Sequence, residues 1–377
     1  MKVEDLYNII GSDFYTGVPD SQLRALCDYL MDKYGIDSKH HIICVNEGNS
    51  VALGAGYHLA TGKIPVIYMQ NSGEGNIVNP VTSLTNDNVY AIPQIFIVGW
   101  RGEPGVHDEP QHIYQGRITV KLLEDLDINT FVISSETTVE ELKSVMASFN
   151  EQLNKGKSVA FIIKKGALVY DNKVSYKNDS TMKREEIIEH IVSFSKKDPI
   201  ISTTGKASRE LYEIRKHNNE GHQYDFLTVG SMGHSSTIAL GIALNEPKKK
   251  IWCIDGDGAV LMHMGAMAVI GANNPTNLVH VVINNSAHET VGGMPTVADK
   301  INIVEIAKAC GYKHCVSVNN LEDLDNELAY CKNSKELCLL EIKSSIGARS
   351  DLGRPKEKPY ENKVIFMDNL KGVNYIE

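Results

Sequence analysis

Ten short apolar runs punctuate this chain, and hardly any of them alternates polar with apolar residues. In the first half they are His41–Val45, Pro65–Met69, Ile92–Gly99, Asn129–Ser134 and Val159–Lys164. In the second they are Pro199–Ser202, Asp225–Val229, Ile251–Ile254, Val279–Asn284 and Leu337–Ile342. A strand with one face in water shows a period of two residues. A run that is apolar throughout suits a strand covered on both faces, as in a parallel α/β sheet. Helical stretches such as Ser21–Tyr34 and Arg184–Ser195 fall between or before the runs. The polar stretch Tyr170–Lys183, YDNKVSYKNDSTMK, separates the two sets and reads as a linker. The 377 residues are therefore expected to form two α/β domains, 1–170 and 184–377, joined by 171–183. Each should be an open, mainly parallel sheet. Ligands of such sheets bind beyond the carboxyl ends of the strands, so functional loops should follow the runs just named.

Composition narrows the partners. A formal net charge of -9 argues against nucleic acid or an anionic membrane. No apolar run reaches transmembrane length, and MKVEDLYNII carries acids early and lacks a signal-peptide core. The seven cysteines include no CxxC pair, and Cys44, Cys253 and Cys310 sit in apolar runs. That usage fits reduced core thiols in a cytoplasm.

The stretch CIDGDGAVLMHMGAM, Cys253–Met267, sets Asp257 between two glycines at the end of a buried run. The segment from Ala259 to about Asn273 is rich in Ala, Met and Leu and predicts a helix. A strand, a glycine turn and a helix N-terminus make a site for phosphate, because free backbone N–H groups point outward there. An aspartate in that place repels phosphate unless a cation lies between them. The next run ends in Asn284-Asn285-Ser286-Ala287. Neighbouring parallel strands would bring Asp257 and Asn285 to one sheet edge. A carboxylate, an amide oxygen and a backbone carbonyl are hard oxygen donors suited to Mg²⁺. Gly258 and Ala259 could offer N–H groups to the same phosphate. A tight turn with Asp257 as a helix cap is an equal reading of GDG alone.

Gly256-Asp257-Gly258 followed by Asn284-Asn285 resembles the cofactor motif of the thiamine diphosphate-dependent decarboxylase family. The resemblance implies a pyrimidine-binding domain first and a diphosphate-binding domain second, both of the thiamine diphosphate-binding fold, with no middle domain. It implies thiamine diphosphate and Mg²⁺ as cofactors, with Asp257, the Asn285 side chain and the Ala287 carbonyl on the metal. In ICVNEGNSVALGAGYHLATG, Glu47 matches the family's glutamate just after a strand. VGSMGHSSTIALGIAL, from Val229 through Gly230, places Met232 where a large apolar residue bends the cofactor. ISTTGKASREL puts Thr203 and Thr204 near the phosphates, and TGVPDSQL presents Asp20 to the substrate. RGEPGVHDEPQH, NNSAHETVGGMPT and GARSDLGRPKEKPYENK extend the likeness to the phosphonopyruvate decarboxylases, with sulfopyruvate decarboxylases as near relatives. The family's glycine after the asparagine pair is Ser286 here.

The implied activity is decarboxylation of 3-phosphonopyruvate to phosphonoacetaldehyde, by a homodimer or higher homo-oligomer with active sites shared between chains. Sulfopyruvate is the alternative substrate. A non-catalytic phosphate-binding regulator is the alternative of another class, and the retained Glu47 speaks against it. Glu47 would share a proton with the cofactor's pyrimidine, aided by a pKa raised by burial; the residue read alone also suits a helix N-terminus. Asp20 and the His107-Asp108 pair are candidates for acid–base steps and substrate orientation. Asn71, Ser72 and Gly73 follow a strand and could line the same cavity. Met232 could equally be core filler. Arg349 and Arg354 could clamp a phosphonate, with Lys206 and Arg209 as rivals; pairing of these arginines with Asp351 or Glu357 at the surface is the competing reading.

Overall fold

The computed structural model describes residues 1–372. The chain divides into two compact units, Met1–Ser175 and Tyr176–Glu377, and the division falls inside the polar segment 171–183.

In the first unit six strands form one sheet: β1 (Tyr15–Gly17), β2 (His41–Ile43), β3 (Val66–Gln70), β4 (Ile95–Gly99), β5 (Asn129–Ile133) and β6 (Val159–Ile163). Their order is β2-β1-β3-β4-β6-β5, and every neighbouring pair is parallel. The second unit contributes β7 (Ile200–Ser202), β8 (Asp225–Leu227), β9 (Ile251–Gly256), β10 (Leu278–Asn284), a small antiparallel ribbon of β11 (Ala287–His288) and β12 (Met294–Pro295), then β13 (His314–Val318) and β14 (Cys338–Lys343). Its sheet runs β13-β14-β10-β9-β7-β8, again parallel throughout. Counted from the first strand of each sheet and leaving out the ribbon, both orders are second, first, third, fourth, sixth, fifth. The same topology is used twice.

Burial on both faces explains why the strands read as unbroken apolar runs. All residues of β4, β6 and β10 are buried. Ile67, Met69, Phe96, Val98 and Ile162 pack in the first unit, and Trp252, Ile254, Val281, Leu340 and Ile342 in the second. Each such side chain contributes roughly 1.5–3 kcal/mol on burial. Two strands of the six-stranded sheets escaped the sequence pattern, as did the short ribbon β11–β12. β1 is only Tyr-Thr-Gly, too short to show a period, although all three residues are buried. β13, HCVSV, lies at a sheet edge, is only partly buried and mixes polar with apolar residues.

Topology also places the functional loops. From β1 the chain passes to β2 on one side and later to β3 on the other, so the loops after β1 and β3 diverge. The second unit repeats this at β7 and β9. Such switch points open a crevice at the carboxyl ends of the strands. None of the seven cysteines forms a disulfide. Among the described residues no helix is long and apolar enough to cross a membrane.

Candidate active site

In the second unit, β9 ends at Gly256 and a helix begins at once with Asp257. β10 lies beside β9 with Ile283 opposite Gly256, so Asp257 and Asn285 leave adjacent strands at one sheet edge. A cavity of about 100 Å³ opens there. It is lined by Thr203 and Thr204 after β7, by Met232, by Gly256, Asp257, Gly258 and Ala259, and by Asn285, Ala287 and Lys206. The glycines leave room: a methyl group on Gly258 would stand 3.4 Å from the His288 ring. Gly230 lies in the loop after β8, outside the lining of the cavity.

Asp257 is 3% exposed, and its Oδ2 accepts a hydrogen bond from the Thr296 hydroxyl at 2.5 Å. Burial raises its pKa to about 6, a rise that Thr296 and nearby backbone hydrogen bonds only partly offset. Asn285 is fixed at both ends. Its Oδ1 accepts from the Ala287 N–H at 3.1 Å, and its Nδ2 donates to Glu289 at 2.9 Å. A buried carboxylate beside an amide oxygen and a strand-end carbonyl is a hard oxygen set, and it fits a cation such as Mg²⁺.

Ser286 takes φ +55°, the left-handed region that glycine enters freely. Its N–H and hydroxyl both donate to Asn284 Oδ1, at 2.9 and 3.1 Å. The turn expected of the family's glycine therefore forms with serine, the side chain anchoring a conformation that costs about 1–2 kcal/mol for a residue with Cβ.

Several residues here had no clear signal in the sequence. Arg184 forms a two-point contact with Glu210, at 2.6 and 2.8 Å, and reaches Glu289 at 2.8 Å. Lys206 meets the same Glu289 at 3.0 Å. The four side chains carry two positive and two negative charges. His288 is held neutral, its pKa pushed down to about 4 by burial. On the strands beneath, Cys253, Asp255 and His280 bring donor atoms within 4.8 Å of one another. They are three buried donors, short of the four that a structural zinc takes.

In the first unit, Glu47 is the first residue of a helix entered from β2, capped by Asn46, whose side chain accepts from Gly48 N–H at 2.8 Å. Glu47 is 5% exposed, and burial raises its pKa. Asn76 donates to its Oε2 at 2.7 Å. Gly73 packs against it so closely that a Cβ would collide with the carboxylate. The neighbouring Glu74 is buried, and its pKa is pushed up to about 9, with Gln115 donating to it at 2.8 Å.

Asp20, after β1, is fully buried, and burial raises its pKa. Gln70 at the end of β3 donates to it at 2.5 Å, across the switch point. Ser72 donates to the same Gln70 at 2.8 Å. Asn71 turns the opposite way, donating to the Arg101 carbonyl at 2.7 Å and to Thr119 at 2.8 Å. His107 is exposed and lines a shallow cavity with Arg101 and Asp108. The structure gives Asp108 a different place from the acid–base one expected of it. Its carboxylate is clamped by Arg101 and by the Gly102 and Glu109 N–H groups, which hold its pKa far below the usual range. These bonds tie the loop to Arg101 and favour the charged carboxylate.

The basic candidates separate. Lys206 alone of the four lines the cavity beside Asp257. Arg349 is paired with Glu185, Glu213 and Asp351. Three acids meet its partly exposed guanidinium, the surface pairing that competes with the phosphonate clamp expected of Arg349. Arg354 is exposed, and Arg209 lies on the helix Lys206–His217 outside the cavity lining.

Known proteins carry the same two-part plan. Residues 6–142 match the thiamine pyrophosphate enzyme N-terminal TPP binding domain, and residues 203–342 match the C-terminal TPP binding domain. Phosphonopyruvate decarboxylase of Streptomyces viridochromogenes is 32% identical over 370 residues, 93% of this chain and 90% of that protein. Phosphonopyruvate decarboxylase of Streptomyces hygroscopicus is 30% identical over 370 residues, covering 93% and 89%. Sulfopyruvate decarboxylase of Methanosarcina acetivorans is 26% identical over 368 residues, covering 90% of each. The chain belongs to the thiamine pyrophosphate enzymes, and within them it is a thiamine diphosphate-dependent carboxy-lyase of the group these decarboxylases form.

Proposed function

We propose that this enzyme converts 3-phosphonopyruvate to phosphonoacetaldehyde and CO₂ with Mg²⁺ as second cofactor, a step of phosphonate biosynthesis. The observation that carries the reading is identity. Two phosphonopyruvate decarboxylases match along nearly the whole chain at 32% and 30%, against 26% for the full-length sulfopyruvate decarboxylase. Sulfopyruvate is the second reading, favoured by that same full-length relative.

Thiamine diphosphate, when bound, accepts the electron pair left as the carboxylate departs as CO₂. The chain's own residues prepare for this. Asp257, Asn285 and the Ala287 carbonyl would hold Mg²⁺, and the N–H groups of Gly258 and Ala259 would be offered to the diphosphate. Thr203, Thr204 and Met232 line the same cavity. Lys206 offers its ammonium to an anionic oxygen. Glu47, whose pKa burial raises, would hold a proton for the cofactor's pyrimidine to share. Asp20, buried and raised in the same way, is the candidate proton donor to the product carbon.

The reading includes a cytoplasmic homodimer or higher homo-oligomer acting on a small 2-oxo acid, with neither nucleic acid nor membrane as partner. Active sites shared between chains would let an inactive Glu47→Ala chain and an inactive Asp257→Ala chain restore activity when mixed. A mixture still inactive after demonstrated subunit exchange removes the shared site. Substrate choice is tested by CO₂ release from phosphonopyruvate and sulfopyruvate side by side. A kcat/KM for the phosphonate higher by roughly tenfold or more, a difference of about 1.4 kcal/mol, is expected. The reverse ranking transfers the enzyme to sulfonate chemistry.

A further inference from the structure

Glu289 begins a short turn directly after β11, and its carboxylate gathers donors from four directions. Arg184 approaches with Nη1 at 2.8 Å and Nη2 at 3.3 Å, and Lys206 Nζ stands at 3.0 Å. Asn285 Nδ2 donates at 2.9 Å and the Gly347 N–H at 3.2 Å. The Glu289 side chain is 8% exposed, so few of these bonds compete with water.

We propose that Glu289 is a positioning residue that decides which end of the Asn285 amide faces the cation and anchors Lys206 at the cavity. The proposal rests on the reading of Asn285 as a metal ligand. A side-chain amide has an accepting oxygen at one end and a donating NH₂ at the other, and a hard cation accepts only the oxygen. The two ends differ little in shape, so packing alone selects neither. An ionised carboxylate only accepts, and it therefore selects. With Nδ2 on Glu289, the oxygen turns to the Ala287 N–H at 3.1 Å, and its second lone pair stays open. Turning the amide over would set Oδ1 against the Glu289 carboxylate and Nδ2 against the Ala287 N–H, like against like at both ends. The same carboxylate holds one side of the Lys206 ammonium, whose remaining protons are left for an anion in the cavity.

The test measures the Mg²⁺ concentration needed for half-maximal thiamine diphosphate binding, by calorimetry at fixed cofactor, with thermal unfolding recorded beside it. Glu289→Leu removes both acceptor oxygens and should raise the Mg²⁺ requirement about 10- to 100-fold, the range for lost outer-shell partners of a metal site. Glu289→Gln keeps one accepting oxygen and should fall between wild type and Glu289→Leu. A purely structural role would lower the melting temperature without this graded change. If Glu289→Leu does not fold, Glu289→Gln carries the test, and a wild-type Mg²⁺ requirement in it overturns the proposal. Asn285→Ala separates the two levels of the argument. A wild-type requirement in Asn285→Ala removes the metal reading and the proposal together. A raised requirement in Asn285→Ala with an unchanged one in Glu289→Leu removes the positioning role alone.

Discussion

Glu47 and Asp257 are near twins in backbone and opposites in surroundings. Each is the first residue of a helix entered from a strand of a parallel sheet, each is no more than 5% exposed, and burial raises the pKa of each. Glu47 follows an edge strand, meets one amide donor, Asn76, and has the bare face of Gly73 against it. Asp257 follows a central strand, and the next strand brings Asn285 alongside. In the proposed reading, one desolvated carboxylate has a neutral pocket in which a proton can be shared, and the other has oxygen neighbours suited to a cation. A fold used twice would then support two kinds of chemistry through the residues on the adjacent loop.

The contrast breaks most sharply at Glu47. Glu47→Gln keeps the shape and cannot share the proton, so kcat should fall on the order of 10²-fold or more, with cofactor affinity changed far less. NMR exchange of the bound cofactor's C2 proton is the direct readout, and wild-type exchange would end the assignment. At Asp257 the pattern should invert. Asp257→Ala should weaken Mg²⁺-dependent cofactor binding on the order of 10²-fold, at or above the range for outer-shell changes. Equal affinity by calorimetry would place the cation elsewhere.

The smallest effect tests burial without a role in binding. Glu74 has a folded pKa of about 9 against a usual 4.5. The folded chain therefore keeps a proton that the unfolded chain has lost. Its contribution to stability is complete below about pH 4.5 and is lost as the pH rises through about 9. Glu74→Gln mimics the protonated acid and should stabilise the enzyme by about 1–3 kcal/mol at pH 8, with little change near pH 4.5. Parallel thermal melts at the two pH values check this, and equal shifts at both would show that the acid is not the cause.

Much of this was legible in the chain. Every apolar run became a strand, because strands buried on both faces must be apolar throughout. The spacing of Asp257 and Asn285 was legible because two consecutive βα units brought them together. Longer reaches were not. Arg184 meets a glutamate 105 positions away, and no periodicity encodes such a pairing. Arg349 looked available in ARSDLGRP, but Glu185 and Glu213, distant in sequence, occupy it. Asp108 stood in a plausible loop, and only geometry showed its carboxylate spent on Arg101.

Gly73 carries a consequence for how the first unit can change. Its φ of -82° is open to any residue, so conformation does not demand glycine there. Volume does, because even a methyl group meets the Glu47 carboxylate. The two positions are interlocked alleles. A Cβ at 73 would meet Glu47 Cγ as well as its carboxylate, so alanine there should be inherited only in a background where the side chain at 47 has already been cut back past Cγ, as in Glu47→Ala. The order in which such changes arise is therefore constrained, and the crowding against Glu47 is reason enough for the glycine to persist through long divergence.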